Sequence, residues 1–525
     1  MSGRARAGWC FAYALATFLS FPHPVAGRVL DLGLVAGWLG PACLWLACGG
    51  LAPRRAAALG FAAGWLAHTA ILHWIFHVTV TYGHAPWLAG VAAPAALALY
   101  IAAFPAAFAA CAATLRLPPA VTPFAGAALW TALDHLRSFA LTGFPWATLG
   151  YAQHENAALL PLTAFTGVYG LSFLTALGGL GALAALRARG RSGTWLASAF
   201  VLLMHAVGPL AAAPEARDPD TVRMAVLQGN IDQGVKWSTE WAERTIQIYE
   251  RLTRAAAAEG ARLVVWPETA VPGSVNRNDA LRERLGGLSG ETGATLVVGA
   301  VAVEEGPRGW LFYDSAFVLE GPTVRGRYDK AHLVPFGEYV PLRGLLGRFL
   351  QGVARGIADD NVTRGPGPRP LVIGIPDRRE RVTVGVPICY ELIFPDLVRR
   401  FVRDGAGVLL ALTNDAWYGR TGAPYQFLAM TAVRSAENRV WTVRAANTGV
   451  SAIIDARGRV REQTAIFEEG FLVADVPLHG DPGSGPSAAT YYARHGDRFA
   501  RACWLAGLTA LAVSAAARFR EKRGR

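Results

Sequence analysis

ThrValGlyValProIleCysTyrGluLeuIlePheProAsp, residues 383–396, is the stretch on which the reading of the fold turns. Its first five residues form a short apolar run closed by proline, the pattern of a buried strand. Cys389 stands just past the end of that run. Comparable short runs bounded by turn residues recur at 222–228, 262–266, 294–299 and 407–412, and amphipathic helical patterns occupy 239–259 and 423–439. Strands alternating with helices predict a layered α/β domain over residues 220–480, with reactive groups at the carboxyl ends of its strands.

Two more polar residues stand at such ends. Glu268 follows LeuValValTrpPro (263–267), and Lys330 follows ArgGlyArgTyrAsp (325–329). Taken singly, each is better read without a catalytic part: Glu268 as a helix N-terminal charge, Lys330 as a solvated lysine and Cys389 as a buried inert thiol. Together they make a chemical set. A thiol with an ordinary pKa of about 8.5 is scarcely ionised at neutral pH, so a nucleophilic cysteine needs a base or a cation beside it. Glu268 could take the thiol proton and later return it to a leaving group, while Lys330 and backbone N–H groups could stabilise an oxyanion.

The rest of the chain sets this domain in a membrane. Of 525 residues, 53% are hydrophobic and 17% charged, against roughly a quarter charged in an average soluble protein. Apolar stretches of spanning length lie near 8–22, 29–51, 57–80, 87–115, 119–141, 157–186, 194–212 and 499–517, where a span needs about 20 residues. About eight spans are expected: seven in an N-terminal domain (1–213) and one at 498–518. Arg4 and Arg6 before the first run resemble the start of a signal peptide, but no small-residue cleavage site follows, so that segment is expected to be retained. Arginines collect in alternate loops (Arg4 and Arg6, Arg54 and Arg55, Arg116, 187–191) and in the tail 519–525, while the opposite loops carry only Arg28 and Arg137. By the positive-inside rule the N-terminus and tail are cytoplasmic and residues 220–480 lie outside the cytoplasm. The net charge of +12 is thereby assigned to topology and anionic lipid, and a nucleic-acid partner is excluded because no basic run with interleaved aromatics occurs.

Five of the six cysteines (Cys10, Cys43, Cys48, Cys111, Cys503) fall in apolar stretches, and neither a CxxC pair nor a zinc spacing occurs. His73 and His77 are four apart but have no evident third ligand. No metal, disulfide framework or cofactor is expected. Residues 342–353 set Leu342, Leu345, Leu346, Phe349 and Leu350 among arginines, which reads as an interfacial arm or equally as a plain surface helix.

TrpProGlu (266–268), TyrAspLysAlaHisLeuValProPheGlyGluTyrValPro (328–341) and IleCysTyrGluLeuIlePheProAsp (388–396) resemble, in order, the three catalytic blocks of the nitrilase superfamily. AlaLeuThrAsnAspAlaTrpTyrGly (411–419) resembles the strand and loop that follow. The resemblance implies an αββα sandwich in which Glu268 is the base, Lys330 the oxyanion stabiliser and Cys389 the nucleophile. Over essentially the whole chain the match is to the membrane branch, the apolipoprotein N-acyltransferases, carried also by LeuThrGlyPheProTrp (141–146), GlyTyr (150–151) and GlnGlyAsnIle (228–231) with Lys236 and Trp237. That branch implies acyl transfer from a phospholipid, typically phosphatidylethanolamine, through a thioester to the α-amino group of a diacylglyceryl-cysteine apolipoprotein. The setting implied is the bacterial inner membrane, with the catalytic domain periplasmic and the protein a monomer.

The resemblance further implies supporting roles for Glu338, Tyr390 and Glu391, and acyl-pocket positions for Trp237, Trp417 and Phe336. The chain departs from the pattern at Asp314, where an asparagine is usual, and at Phe427 after Gln426, where a histidine is usual. Neither position is expected to touch the triad. Two rival readings stand beside this one: a membrane-tethered amidase, in which water attacks the thioester, and a non-catalytic transporter or receptor, which leaves the ordered glutamate, lysine and cysteine without a purpose.

Overall fold

A computed structural model describes residues 1–188, 193–212, 220–236, 238–307, 309–339, 362–478 and 489–523. Its N-terminal part is helical: Gly3–Leu19, Gly33–Cys48, Pro53–Ile71, Trp87–Thr114, Thr122–Arg137, Val168–Ala188 and Leu196–Val207, with a small hairpin of β1 (His23–Val25) and β2 (Arg28–Leu30). Small residues let these helices approach closely. Gly60 and Gly64, four apart on one face, meet the helix Trp87–Thr114 where a Cβ at Gly64 would come within 2.3 Å of the Pro105 ring.

Among the described residues, three helices are long and apolar enough to cross a membrane: Trp87–Thr114, Val168–Arg187 and Arg498–Glu521. Pro53–Ile71 and Trp74–Tyr82, bent by 55° at their junction, make a fourth if they count as one broken span. The other expected stretches form shorter helices, among them Gly3–Leu19 (17 residues), Gly33–Cys48 (16) and Thr122–Arg137 (16). Part of the apolar sequence counted toward the spans at 119–141 and 157–186 turns aside into 3₁₀ turns at Ala140–Thr142 and Leu160–Leu162, which shortens Thr122–Arg137 and leaves Val168–Ala188 as the long helix of its stretch. Arg137, read as a loop charge, is instead the buried last residue of its helix, beside Asp134 (3.5 Å) and the Thr148 hydroxyl (3.2 Å).

The second part is built on two sheets. One, of seven strands, has the order β15 (Gly470–Pro477), β3 (Thr221–Gln228), β4 (Leu263–Val265), β6 (Thr295–Gly306), β7 (Gly309–Glu320), β8 (Thr323–Asp329), with β5 (Val271–Ser274) paired to β6. The other has the order β14 (Val460–Gln463), β13 (Ala452–Ile454), β12 (Trp441–Ala446), β11 (Val408–Thr413), β10 (Val382–Gly385), β9 (Leu371–Ile373). The central strands of each sheet run parallel, which explains their uninterrupted apolar runs: both faces are covered. Along β3, Met224 and Val226 face the core between the sheets, while Ala225 and Leu227 face the helices Thr239–Ala258 and Asp279–Thr292. Pro395–Arg403 and Ala423–Asn438 cover the second sheet, completing the αββα sandwich. Every strand and helix expected here forms, with ends within about two residues except for β6, which runs on to Gly306 where the apolar run stops at 299 because its far half pairs with β7 in a long hairpin.

Candidate active site

Three strand ends converge. After β4 the Trp266 N–H bonds to the Val297 carbonyl (2.8 Å) and its indole N–H to the Thr253 hydroxyl (3.0 Å), which anchors the turn that raises Glu268. Lys330 comes directly after β8, its backbone N–H held by the Asp314 carbonyl of β7 (2.9 Å). Cys389 opens the 3₁₀ turn Cys389–Ile393, after Ile388 has bridged to Leu412 of β11. Its φ of +47° is a left-handed conformation that a non-glycine residue adopts only when its surroundings impose it. The imposition comes from Glu391, whose carboxylate accepts from the N–H of Ile388 (2.8 Å) behind the cysteine. Its other oxygen accepts from the N–H groups of Ala331 (2.7 Å) and His332 (3.2 Å) and the Tyr328 hydroxyl (2.7 Å). One buried carboxylate thus fastens the cysteine turn to the lysine loop.

At the centre lies the Lys330 ammonium, 1% exposed, donating to Glu268 (2.8 Å), Glu338 (2.6 Å) and Asp314 (3.2 Å). Glu338 also accepts from the Val334 N–H (2.8 Å), which fixes its loop. Burial alone would strip Lys330 of its proton, but the three carboxyl groups outweigh it and hold the ammonium well above its ordinary pKa. Burial would likewise raise Glu268, yet Lys330 prevails and leaves it below the ordinary range, an ionised carboxylate. Burial, reinforced by the Glu268 charge, pushes the Cys389 thiol well up against the pull of Lys330, so it rests as a neutral thiol that would need a base to become a nucleophile. Glu391 is raised by burial to about 7 despite its four donors.

Two groups in this centre had no assigned part. Lys236 is buried, donates to the Glu268 carbonyl (3.2 Å) and the Thr269 hydroxyl (2.6 Å), and is lowered by burial to about 8. Asp314, expected to stay clear of the triad, touches Lys330 directly. The β7–β8 hairpin register, which pairs Ser315 with Asp329, brings it there. The signal was present as the departure from the usual asparagine but had no spatial meaning without that pairing.

The remaining expectations divide. Tyr390 is buried and turns from the carboxyl cluster, its hydroxyl bonding the Gly143 carbonyl (3.3 Å) and its ring packing on Phe394 and His332. Phe336 is half-exposed on the loop carrying Glu338, with a φ of +62°. Trp417 is partly exposed on the turn Asp415–Tyr418, edge-on to Tyr82. Phe427 is fully buried among Trp146, Tyr418 and Arg444. Trp237 and the segment 342–353 lie outside the described residues. Among the described residues, Glu268, Asp314 and Glu338 are one of two groups with metal-like spacing, but the Lys330 ammonium already occupies their middle. The other, Asp31, His154 and Glu155, contains an ordinary ion pair of Asp31 with His154 (3.3 Å).

A thiol-bearing turn beside a carboxylate and a buried ammonium suits attack on a carbonyl followed by release of its substituent. Comparison with known proteins narrows the kinship. The family model described as Carbon-nitrogen hydrolase matches residues 223–480, and that of the apolipoprotein N-acyltransferase N-terminal domain matches residues 13–181. An apolipoprotein N-acyltransferase of Geobacter metallireducens is 40% identical, covering 96% of this chain and 93% of its own. One from Nitrosomonas europaea is 32% identical over 98% of each. Among solved structures, an amidase from Nesterenkonia sp. covers 51% of this chain and 94% of its own at 20% identity and a TM-score of 0.37. With both halves matched and relatives aligned from end to end, the chain belongs to the apolipoprotein N-acyltransferase family.

Proposed function

We propose that this protein moves a fatty acyl chain from a phospholipid, with phosphatidylethanolamine as the expected donor, to the N-terminal amine of diacylglyceryl-cysteine apolipoproteins. Glu268 takes the proton as the Cys389 sulfur attacks the donor's ester carbonyl, and Lys330 stabilises the oxyanion. Collapse breaks the ester C–O bond, and the lysophospholipid leaves with the proton held by Glu268. The acceptor amine then attacks the thioester, gives a proton to Glu268 and displaces the sulfur, which recovers that proton. Glu338 holds Lys330 charged, Glu391 and Tyr390 hold the cysteine turn, and Trp237, Phe336 and Trp417 border the acyl chain.

The protein works as a monomer in the bacterial inner membrane. About eight spans come from residues 1–213 and 498–518, residues 220–480 form the periplasmic catalytic domain, and the tail 519–525 is cytoplasmic. The observation that carries the reading is the 2.8 Å contact of Lys330 with Glu268 beside the Cys389 turn, in a chain akin over its length to named N-acyltransferases.

The test incubates the full-length protein, reconstituted in membranes, with phosphatidylethanolamine alone and weighs the peptide containing Cys389. An acyl adduct is expected in wild type and none in Cys389→Ala; an adduct that persists without the thiol overturns the reading. A diacylglyceryl peptide added next is expected to take the chain, whereas release of free fatty acid alone would make the protein a hydrolase.

A further inference from the structure

Three carboxyl groups, Glu268, Asp314 and Glu338, have oxygens within 4.8 Å of one another around a single ammonium. Like charges packed this closely around one ammonium favour protonation of one of the carboxyls, which can then donate to a neighbouring carboxylate. We infer that Asp314 is a positioning residue which holds this proton in the resting site and donates it as a hydrogen bond to Glu268, doing as a neutral acid what a side-chain amide N–H would do. The inference rests on the assignment of Glu268 as the base.

Three further observations agree. Asp314 Oδ1 is buried and has no donor among the described residues, a costly place for a full negative charge and a tolerable one for an un-ionised acid. Of the pair, Glu268 has the closer contact with the ammonium, 2.8 Å against 3.2 Å, so it keeps the charge. Burial, only partly opposed by Lys330 and reinforced by Glu268 and Glu338, holds Asp314 well above the usual carboxylate range. The titratable groups facing the pair are Lys330, Glu338, Cys389 and Lys236, with Asp415 and Tyr418 acting at longer range.

The consequence is an alkaline limit on the base itself. Losing the Asp314 proton puts a second full charge beside Glu268, so both compete for Lys330 and Glu268 loses its fixed direction. Asparagine supplies the same donor without a proton to lose. The experiment measures transfer against pH for full-length, membrane-reconstituted wild type, Asp314→Asn and Asp314→Leu, with the Cys389 adduct weighed in the same samples. Asp314→Asn is expected to match wild type near neutrality and to stay active at higher pH. Asp314→Leu, which loses a hydrogen bond to a charged group, is expected to fall by about 10- to 100-fold at every pH. Infrared difference spectra of wild type against Asp314→Asn are expected to show the carbonyl stretch of one un-ionised carboxylic acid. The inference is overturned if Cys389 forms its adduct normally but Asp314→Asn keeps the wild-type alkaline limb, or if that stretch is absent. Failure of the adduct in wild type would instead remove the assignment of the base.

Discussion

Lys330 carries one charge against three carboxyl groups inside a wall of protein, and that imbalance governs what its substitution does. Lys330→Met removes the ammonium and leaves the carboxyls facing one another, a broken buried ion pair that costs about 3–5 kcal/mol of stability. With Lys330 in its proposed role, the lost oxyanion stabilisation lowers the rate by about 100- to 1,000-fold. Thermal unfolding in detergent and acyl transfer should fall together, and a variant stable at the wild-type temperature would contradict the charge arrangement. Glu391 yields a pH prediction. Its folded pKa of about 7 lies above its ordinary 4.5, so the folded state binds the proton more tightly. The stability this contributes is complete below pH 4.5 and is lost as pH rises through 7. Melting temperatures of wild type should decline over that window, and Glu391→Gln, which does not titrate, should lack this component; equal slopes in both would rule it out. At this scale Glu268, Lys330 and Cys389 were legible because each sits in its own local sequence block. Asp314 was not, because what brings it to Lys330 is a hairpin register.

Among the elements, β6 bears most directly on the base. A Cβ on Gly299 would lie 2.2 Å from the Pro267 carbonyl, 2.6 Å from the Thr269 nitrogen and 2.7 Å from the Glu268 Cα. Gly299→Ala therefore pushes the turn that carries Glu268, and with Glu268 as the proposed base a shift of about 1 Å costs about 100-fold in rate. Gly287, in the helix Asp279–Thr292, has open space around its Cβ position, so Gly287→Ala should leave transfer unchanged and gain up to about 1 kcal/mol. Assaying the two variants side by side separates crowding under the base from a general effect of alanine. The strands were readable as apolar runs because parallel central strands are covered on both faces, whereas the close approach of β6 beneath Glu268 depends on how neighbouring strands pair.

On the scale of the whole molecule, one apolar core runs without interruption from the N-terminal helices, through Trp74, Trp146 and Tyr169, into the catalytic sandwich. Buried polar contacts cross the same boundary. The Trp146 indole donates to Gln426 (2.8 Å), Arg434 donates to the Tyr151 hydroxyl (2.9 Å), and the N–H of Val168, which begins a long apolar helix, donates to Glu437 (2.6 Å). Arg434 and Glu437, both fully buried, also pair at 3.0 Å. Glu437→Ala strands Arg434 and the Val168 N–H and should cost about 3–5 kcal/mol, while the double change Arg434→Met with Glu437→Leu should recover much of it. Thermal unfolding of the three proteins decides this, and a double variant no better than the single would show that the pair contributes more than mutual neutralisation.

Composition and local pattern alone determined that the chain is rich in apolar helices, that it carries an α/β domain, and that a glutamate, a lysine and a cysteine end three of its strands. These follow from periodicity and short ordered motifs, which need no knowledge of distant neighbours. Only the tertiary structure decided that Asp314 joins the carboxyls around Lys330, that Glu391 is a fastening under the cysteine turn, and that residues counted as spans fold aside to seat the catalytic domain. Each of those depends on strand register, loop closure or the burial of charge, and such terms are set by residues far apart in sequence and close in space.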